Sequence, residues 1–189
     1  MRFILASASP RRLSLLKQIY ITPDDVIPAD INEDPIPGEL PGPHAGRLAS
    51  EKCQTIADRE TDTIILAADT VVGVGRRILP KTETETEAAA CLDLLSGRAH
   101  RVFTGIAVYS PNKGLQSRIV ETRVKLKRLS SQEREFYLNS GEWHGKAGGY
   151  GIQGYAESFI QSLSGSYSNV VGLPLTETRH LLHSHGVGV

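Results

Sequence analysis

A mixed α/β fold, its central sheet partly antiparallel and flanked by helices, is what this sequence predicts, on three observations. Short apolar runs alternate with segments of helical spacing, the order expected of an α/β protein. Two long runs, "HRVFTGIAVYS" and "RIVETRVKLKRL", flank "PNKG" at 111–114; this antiparallel hairpin signal excludes a purely parallel sheet. The 189 residues, 40% hydrophobic and 22% charged, suit one domain (1–189), or one compact body with two lobes about a cleft, and are too apolar for disorder.

The first element, "FILAS" (3–7), reads as a buried strand ending in small residues. Ser9 then caps a helix with Pro10 at its first position, where the missing N–H costs nothing. Leu13, Leu15, Leu16 and Ile19 form its apolar face. The Pro- and Gly-rich stretch 34–43 predicts a loop, and Ala45, Leu48, Ala49, Cys53, Ile56 and Ala57 predict the next helix, with Lys52 beside its core stripe. "TIILAAD" (63–69) reads as a buried strand ending in an acid, and "VVGVGRRIL" (71–79) as a hairpin turning near Gly75. Ala88, Cys91, Leu92 and Leu95 mark a helix that Gly97 ends. In the second arm of the long hairpin Val120, Thr122, Val124 and Leu126 alternate with charged residues, so one face is wet. Ser130 and Glu133 have the spacing of a capping box for a helix through Leu138. The glycines of 145–154 lead to "SFIQSLSG" as a strand, and a final helix from Leu175 through Leu181 and Leu182 stops at Gly186.

Lys plus Arg and Asp plus Glu are both 21, so the chain lacks the basic surplus of a nucleic-acid binder. Any handling of anions has to be local. Cys53 and Cys91 are far apart and suggest neither a disulfide framework nor a zinc pair; they read as buried apolar groups in a reducing compartment. Arg2 and "FILASA" imitate a signal peptide, but the apolar run falls short of the roughly 7–15 residues required. No stretch approaches the ~20 residues of a membrane span, so a cytoplasmic protein is expected.

Chemistry is suggested first by Arg11 and Arg12. Two cations at a helix N-terminus oppose the helix dipole. A bound anion would reverse that cost, since the free amides and both guanidiniums would then converge on it; the alternative is that both arginines snorkel into solvent or pair with acids. Asp69, at the end of an apolar strand, could bind Mg²⁺ or activate water, or serve only as a turn residue. Glu33, in "DINED" (30–34), could complete a metal site or be a solvated turn acid. Lys52 and Lys81 could neutralise phosphate charge or merely solubilise a surface. "GYGIQG" (149–154) fits the dinucleotide fingerprint but neither follows a clear strand nor opens a helix, so that reading is rejected. Its Gln153 offers an amide that can pair with the N–H and adjacent carbonyl of uracil or thymine. His180, His183 and His185 read as a solvated helix end, and His100 as polar filling.

Taken together, "LASASPRRLSLL", "RLASEKC", "AADTVV", "LSGRAHRVFTGIAV" and "KAGGYGIQGYAESFIQSLSGSYSNVVGLPL" resemble, in order and over nearly the whole chain, the Maf family of septum formation inhibitor-like nucleoside triphosphate pyrophosphatases. The resemblance implies two lobes around a deep cleft, often in a homodimer, and hydrolysis of a nucleoside triphosphate to monophosphate and pyrophosphate with a divalent metal, Mg or Mn. It assigns roles to Ser7, Arg11, Arg12, Glu33, Lys52, Asp69, Lys81 and Gln153, with Asp69 as proton acceptor and Asp69 and Glu33 at the metal. Arg11, Thr70 and Gln153 are similar to the base-selecting positions of the branch acting on dTTP and UTP. The alternatives are a pyrophosphatase for modified purine nucleotides such as 7-methyl-GTP and a non-catalytic, nucleotide-sensing regulator of septation. Thr82 stands where the family usually has proline, which predicts a looser loop around Lys81.

Overall fold

The computed structural model describes residues 1–188. Its centre is a seven-stranded mixed sheet. The main path runs β2 (Asp25–Val26), β1 (Arg2–Ala6), β3 (Thr63–Val74), β6 (Ala99–Ser110), β7 (Gly114–Leu126) and β9 (Ile160–Ser164), while β4 (Arg77–Leu79) pairs with β3 beside that path. Pairing is parallel between β2, β1 and β3 and antiparallel elsewhere. A separate two-stranded ladder joins β5 (Lys81–Thr82) to β8 (Lys146–Ala147). Helices α1 (Pro10–Gln18), α2 (Pro41–Ala57), α3 (Glu85–Leu95), α4 (Ser131–Ser140), α5 (Tyr167–Val171) and α6 (Leu175–Ser184) cover the sheet. The mixed α/β expectation holds, and the hairpin at 111–114 is the β6–β7 turn. No helix of the described residues is long and apolar enough to cross a membrane.

Three apolar clusters follow from the strand alternation. Leu5, Leu66 and Ile106 pack under Leu16 of α1 and Leu182 of α6. Residues of opposite parity, Ile4, Ile65 and Ala107, meet Ala49, Cys53 and Ile56 of α2. The third cluster joins Val72, Val102 and Val124 to Leu92 of α3, Tyr137 of α4 and Phe159. Helix α2 lies unusually close to the sheet because Gly105 has no side chain: a Cβ there would sit 2.2 Å from the Ala45 carbonyl oxygen. That close approach lets the Lys52 side chain reach β3.

Several expectations need correction. Residues 63–69 are only the first part of a strand that continues to Val74, so Asp69 lies within β3. Helix α2 begins inside the stretch expected to be loop, at Pro41, since proline is tolerated in a first helical turn. Ser158 and Phe159 belong to a 3₁₀ turn (Tyr155–Phe159), and the strand starts at Ile160. Ser9 occupies the N-cap position of α1, but its side chain caps nothing. His185 is buried, with Nδ1 2.7 Å from Ser110 Oγ, and is no part of a solvated helix end. Thr82 is wholly buried and donates to the Trp143 carbonyl at 2.7 Å, so the segment after Lys81 is anchored despite lacking proline.

Candidate active site

Strand β1 pairs with β3 only as far as Ala6–Ala67, and β4 takes over the same edge at Val72. Between them residues 68–71 of β3 have no neighbour on that side, while β6 continues along the other. Successive side chains of a strand point to opposite faces, so Asp69 and Thr70 flank this opening from its two sides. A cleft of about 340 Å³ occupies it, lined by the end of β1, the start of α1, the 28–33 loop, β5, the Gly-rich stretch and the turn after α5.

On one side four charged groups interlock. Lys52 Nζ lies 2.6 Å from Asp69 Oδ1 and 2.5 Å from Glu33 Oε1. Lys81 ion-pairs with the other oxygen of Glu33 and approaches Asp69 Oδ1 to 3.8 Å. Asp69 and Lys52 are buried, whereas Glu33 and Lys81 face the cleft mouth. Burial pushes the Glu33 carboxyl upward, but hydrogen bonds and charge from Lys52 and Lys81 outweigh it and hold the group down at about 2. Glu33 reaches this position because its loop is clamped to α2. Arg47 donates to both Glu39 oxygens (2.8 and 2.9 Å) and to the Asp34 carbonyl (3.0 Å), and Glu39 also meets His44.

On the other side Arg12 is tied into the protein through all three of its nitrogens. It donates to the Gly172 carbonyl (2.8 Å), to Ser7 Oγ (3.0 Å) and to Thr70 Oγ1 (3.2 Å). Ser7 Oγ also accepts from the Ser9 amide at 3.2 Å, leaving its own proton for an acceptor in the cleft. Thr70 Oγ1 is 2.9 Å from Thr104 Oγ1, which donates to the Asn169 carbonyl at 3.0 Å. Buried Asn169 in turn donates to the Val102 carbonyl and to Thr122 Oγ1, fixing the turn that carries Gly172. Arg11 differs. It lines the cleft, burial lowers its pKa, and among the described residues no carboxylate pairs with it. The uncapped first turn of α1 adds free amides beside it.

Every expected residue therefore lies at this opening: Ser7, Arg11, Arg12, Glu33, Lys52, Thr70, Lys81 and Gln153 line the cleft, and Asp69 sits beneath it. Gln153 is exposed and lies with Lys146 about Gly151, and Val72, Val102 and Val171 supply apolar lining to the same cleft. Sequence reasoning missed Lys146, Asn169 and the Arg47–Glu39 clamp. Among the described residues no group of three or more His, Cys, Asp or Glu side chains gathers as a metal cage. The donor set nevertheless fits a hard divalent cation. Two carboxylates already converge on one cation, Lys52 Nζ, and Mg²⁺ in phosphate-processing sites takes one or two carboxylates and fills its remaining positions with phosphate oxygens and water.

The model of the Maf-like protein family matches residues 2–185. This chain belongs to the Maf family. Relatives in the Maf family match it over nearly its whole length. The dTTP/UTP pyrophosphatase of Maricaulis maris (strain MCS10) is 62% identical over 188 residues, covering 100% of this chain and 90% of its own. That of Caulobacter vibrioides (strain ATCC 19089 / CIP 103742 / CB 15) is 58% identical over 183 residues, covering 97% and 95%. Each of the five segments that carry the resemblance in sequence sends residues to the cleft: the β1–α1 junction, Lys52 of α2, Thr70 and Val72 of β3, Val102 of β6 and the Gly-rich stretch.

Proposed function

We propose that this chain is, as one domain, a nucleoside triphosphate pyrophosphatase that hydrolyses dTTP and UTP to the monophosphate and pyrophosphate. The observation that carries the reading is a buried carboxylate, Asp69, interlocked through two lysines with a second carboxylate, Glu33, at the opening beside β3, in a cleft that also holds Arg11, which has no carboxylate partner among the described residues. The extent of identity to relatives named dTTP/UTP pyrophosphatase supports the choice of substrate.

In this reading the triphosphate lies between the two sides. Lys52 and Lys81 exchange part of their contact with Glu33 for phosphate oxygens, and Arg11, the amides of the α1 first turn and the Ser7 hydroxyl hold the remaining negative charge. Asp69, released from full pairing with Lys52, accepts a proton from the attacking water at the α-phosphorus. Asp69 and Glu33 are the residues that would hold Mg²⁺ or Mn²⁺, which supplies polarisation of the phosphoryl oxygens when bound. Arg12 acts as a strut that keeps Ser7, Thr70 and Gly172 in register. Gln153 reads the base: its amide accepts from the N3–H of uracil or thymine and donates to a flanking carbonyl. The reading calls for no nucleic acid or membrane, and it is compatible with a homodimer.

A panel of triphosphates including dTTP, UTP, CTP and 7-methyl-GTP, assayed with and without Mg²⁺, tests this. Release of pyrophosphate, not orthophosphate, from dTTP and UTP is expected, and Asp69→Asn should abolish it while the protein stays folded by circular dichroism. A variant lacking the carboxylate yet fully active, or a preference for 7-methyl-GTP, would overturn the reading.

A further inference from the structure

Three cations of the cleft are accounted for by partners within the protein. Lys52 and Lys81 hold Glu33 and Asp69, and Arg12 holds Ser7, Thr70 and Gly172. Arg11 and Lys146 are not; Arg11 is already placed on the triphosphate, which leaves Lys146. It sits on β8, opposite Thr82 in the short ladder, and is half-buried against the cleft. Its ammonium has one polar contact, at 3.3 Å to the His144 carbonyl, and no ion pair among the described residues. Burial and the neighbouring charge of Arg11 both lower its pKa, and Glu142 opposes them only in part. A cation kept half-buried beside another cation, with donors to spare, is costly unless an acceptor arrives from solution.

The position of that acceptor is marked by Gly151. A methyl group on Gly151 would lie 3.1 Å from Gln153 Nε2 and 3.3 Å from Lys146 Cε. The lysine stem and the donor end of the glutamine amide therefore flank one small residue of the cleft. We propose that Lys146 is a specificity-determining residue whose ammonium donates to the C4 carbonyl of a uracil or thymine base, alongside Gln153. This rests on the dTTP/UTP reading above. At C4 the two accepted bases carry an acceptor where cytosine carries an amino donor, and an ammonium facing that amino group would meet donor with donor. Lys146 thus both attracts the dicarbonyl pyrimidines and repels cytosine, a combination of positive and repulsive selection. A site built to satisfy one hydrogen-bonding edge rejects the analogue that lacks it more strongly than shape alone does.

The test uses the monophosphates UMP and CMP, which lack the pyrophosphate group and so separate base recognition from the grip on β- and γ-phosphates. Their affinities for the wild type, Lys146→Met and Lys146→Arg are measured by calorimetry, with UTP and CTP kinetics alongside. Loss of a charge-assisted hydrogen bond predicts that Lys146→Met weakens UMP by about tenfold or more, leaves CMP unweakened or tighter, and raises the KM for UTP with little change in kcat. Lys146→Arg should restore most of the UMP affinity. Equal losses for UMP and CMP, or no loss for either, would overturn the assignment, as would an Arg variant that is no better than Met. If Lys146→Met does not fold, Lys146→Gln, neutral but still a donor, takes its place with an intermediate loss expected. A wild type that does not prefer UMP over CMP would remove the base reading itself and Lys146's role with it; a wild-type preference that survives in Lys146→Met would remove only the latter.

Discussion

Arg11 and Arg12 are adjacent, identical in chemistry and together at the head of α1, yet the structure predicts opposite consequences for their removal. Replacing Arg12 with Met deletes three hydrogen bonds, of 2.8, 3.0 and 3.2 Å, that tie α1 to β3 and to the turn after α5. Hydrogen bonds from a charged donor contribute roughly 1.5–3 kcal/mol each at best. The longest of these is shared, since Thr70 keeps Thr104 as a partner, and the Ser7 and Gly172 oxygens lie at a cleft that water can enter. Burial also lowers the Arg12 pKa, opposed by Asp69, so its removal returns part of a desolvation cost. The net loss is then about 2–3 kcal/mol, which for a chain of this size lowers Tm by roughly 4–12 °C. Arg11→Met deletes no side-chain hydrogen bond or ion pair among the described residues and relieves a partly desolvated charge, so stability should stay within about 0.5 kcal/mol of wild type. Urea unfolding of both variants, with equal m-values as the check on two-state behaviour, gives the comparison. Equal destabilisation of the two, or an Arg12→Met protein as stable as wild type, would refute the division into strut and free cation.

Further outcomes follow from the charged clusters. Glu33 has a folded pKa of about 2 against an ordinary 4.5, so its ion pairs contribute stability above the ordinary value and lose it as pH falls toward 2. The stability of Glu33→Gln should therefore decline less than that of wild type between pH 4.5 and 2.5, and parallel curves in urea titrations would contradict the pairing. Arg47→Met should release the loop that carries Glu33. Hydrogen exchange at the Ile36 amide, which now donates to Glu39 at 3.0 Å, should quicken by about tenfold or more, and unchanged exchange there would show that Arg47 does not clamp the loop.

What was legible in the sequence was local. The β6–β7 turn, the Ser130–Glu133 capping box and the apolar spacing of α2 each involve residues a few positions apart, and each is found where expected. Lys52 was legible beside the core stripe for the same reason. Helix α5, at five residues, and the two-residue β5–β8 ladder are too short to leave a periodic signal. The burial of His185 depends on Ser110, distant in sequence. Lys146 and Asn169 belong to segments whose composition marks loop and turn, and only tertiary contact shows that one faces the cleft while the other is locked beneath it. Asp69 does lie beside the cleft, but not because its own strand ends there: β3 runs on to Val74, and it is the end of the neighbouring β1 that opens the sheet beside it.

That distinction bears on how the site tolerates its charges. A carboxylate at a frayed strand end would be solvated and mobile, but Asp69 is held by β6 pairing on one side and is almost wholly buried. Such a group is stable only beside a cation, and a buried Lys52 is stable only beside an anion, so each makes the other admissible. Glu33 and Lys81 extend the pair to a set of four with no net charge. Once these are set against one another, Arg11, Arg12 and Lys146 remain as a positive surplus along the cleft, in a chain whose formal net charge is zero. The anion attraction that composition could not reveal arises from this arrangement. It is confined to one opening in the sheet, where a polyanion can be held without making the whole surface basic.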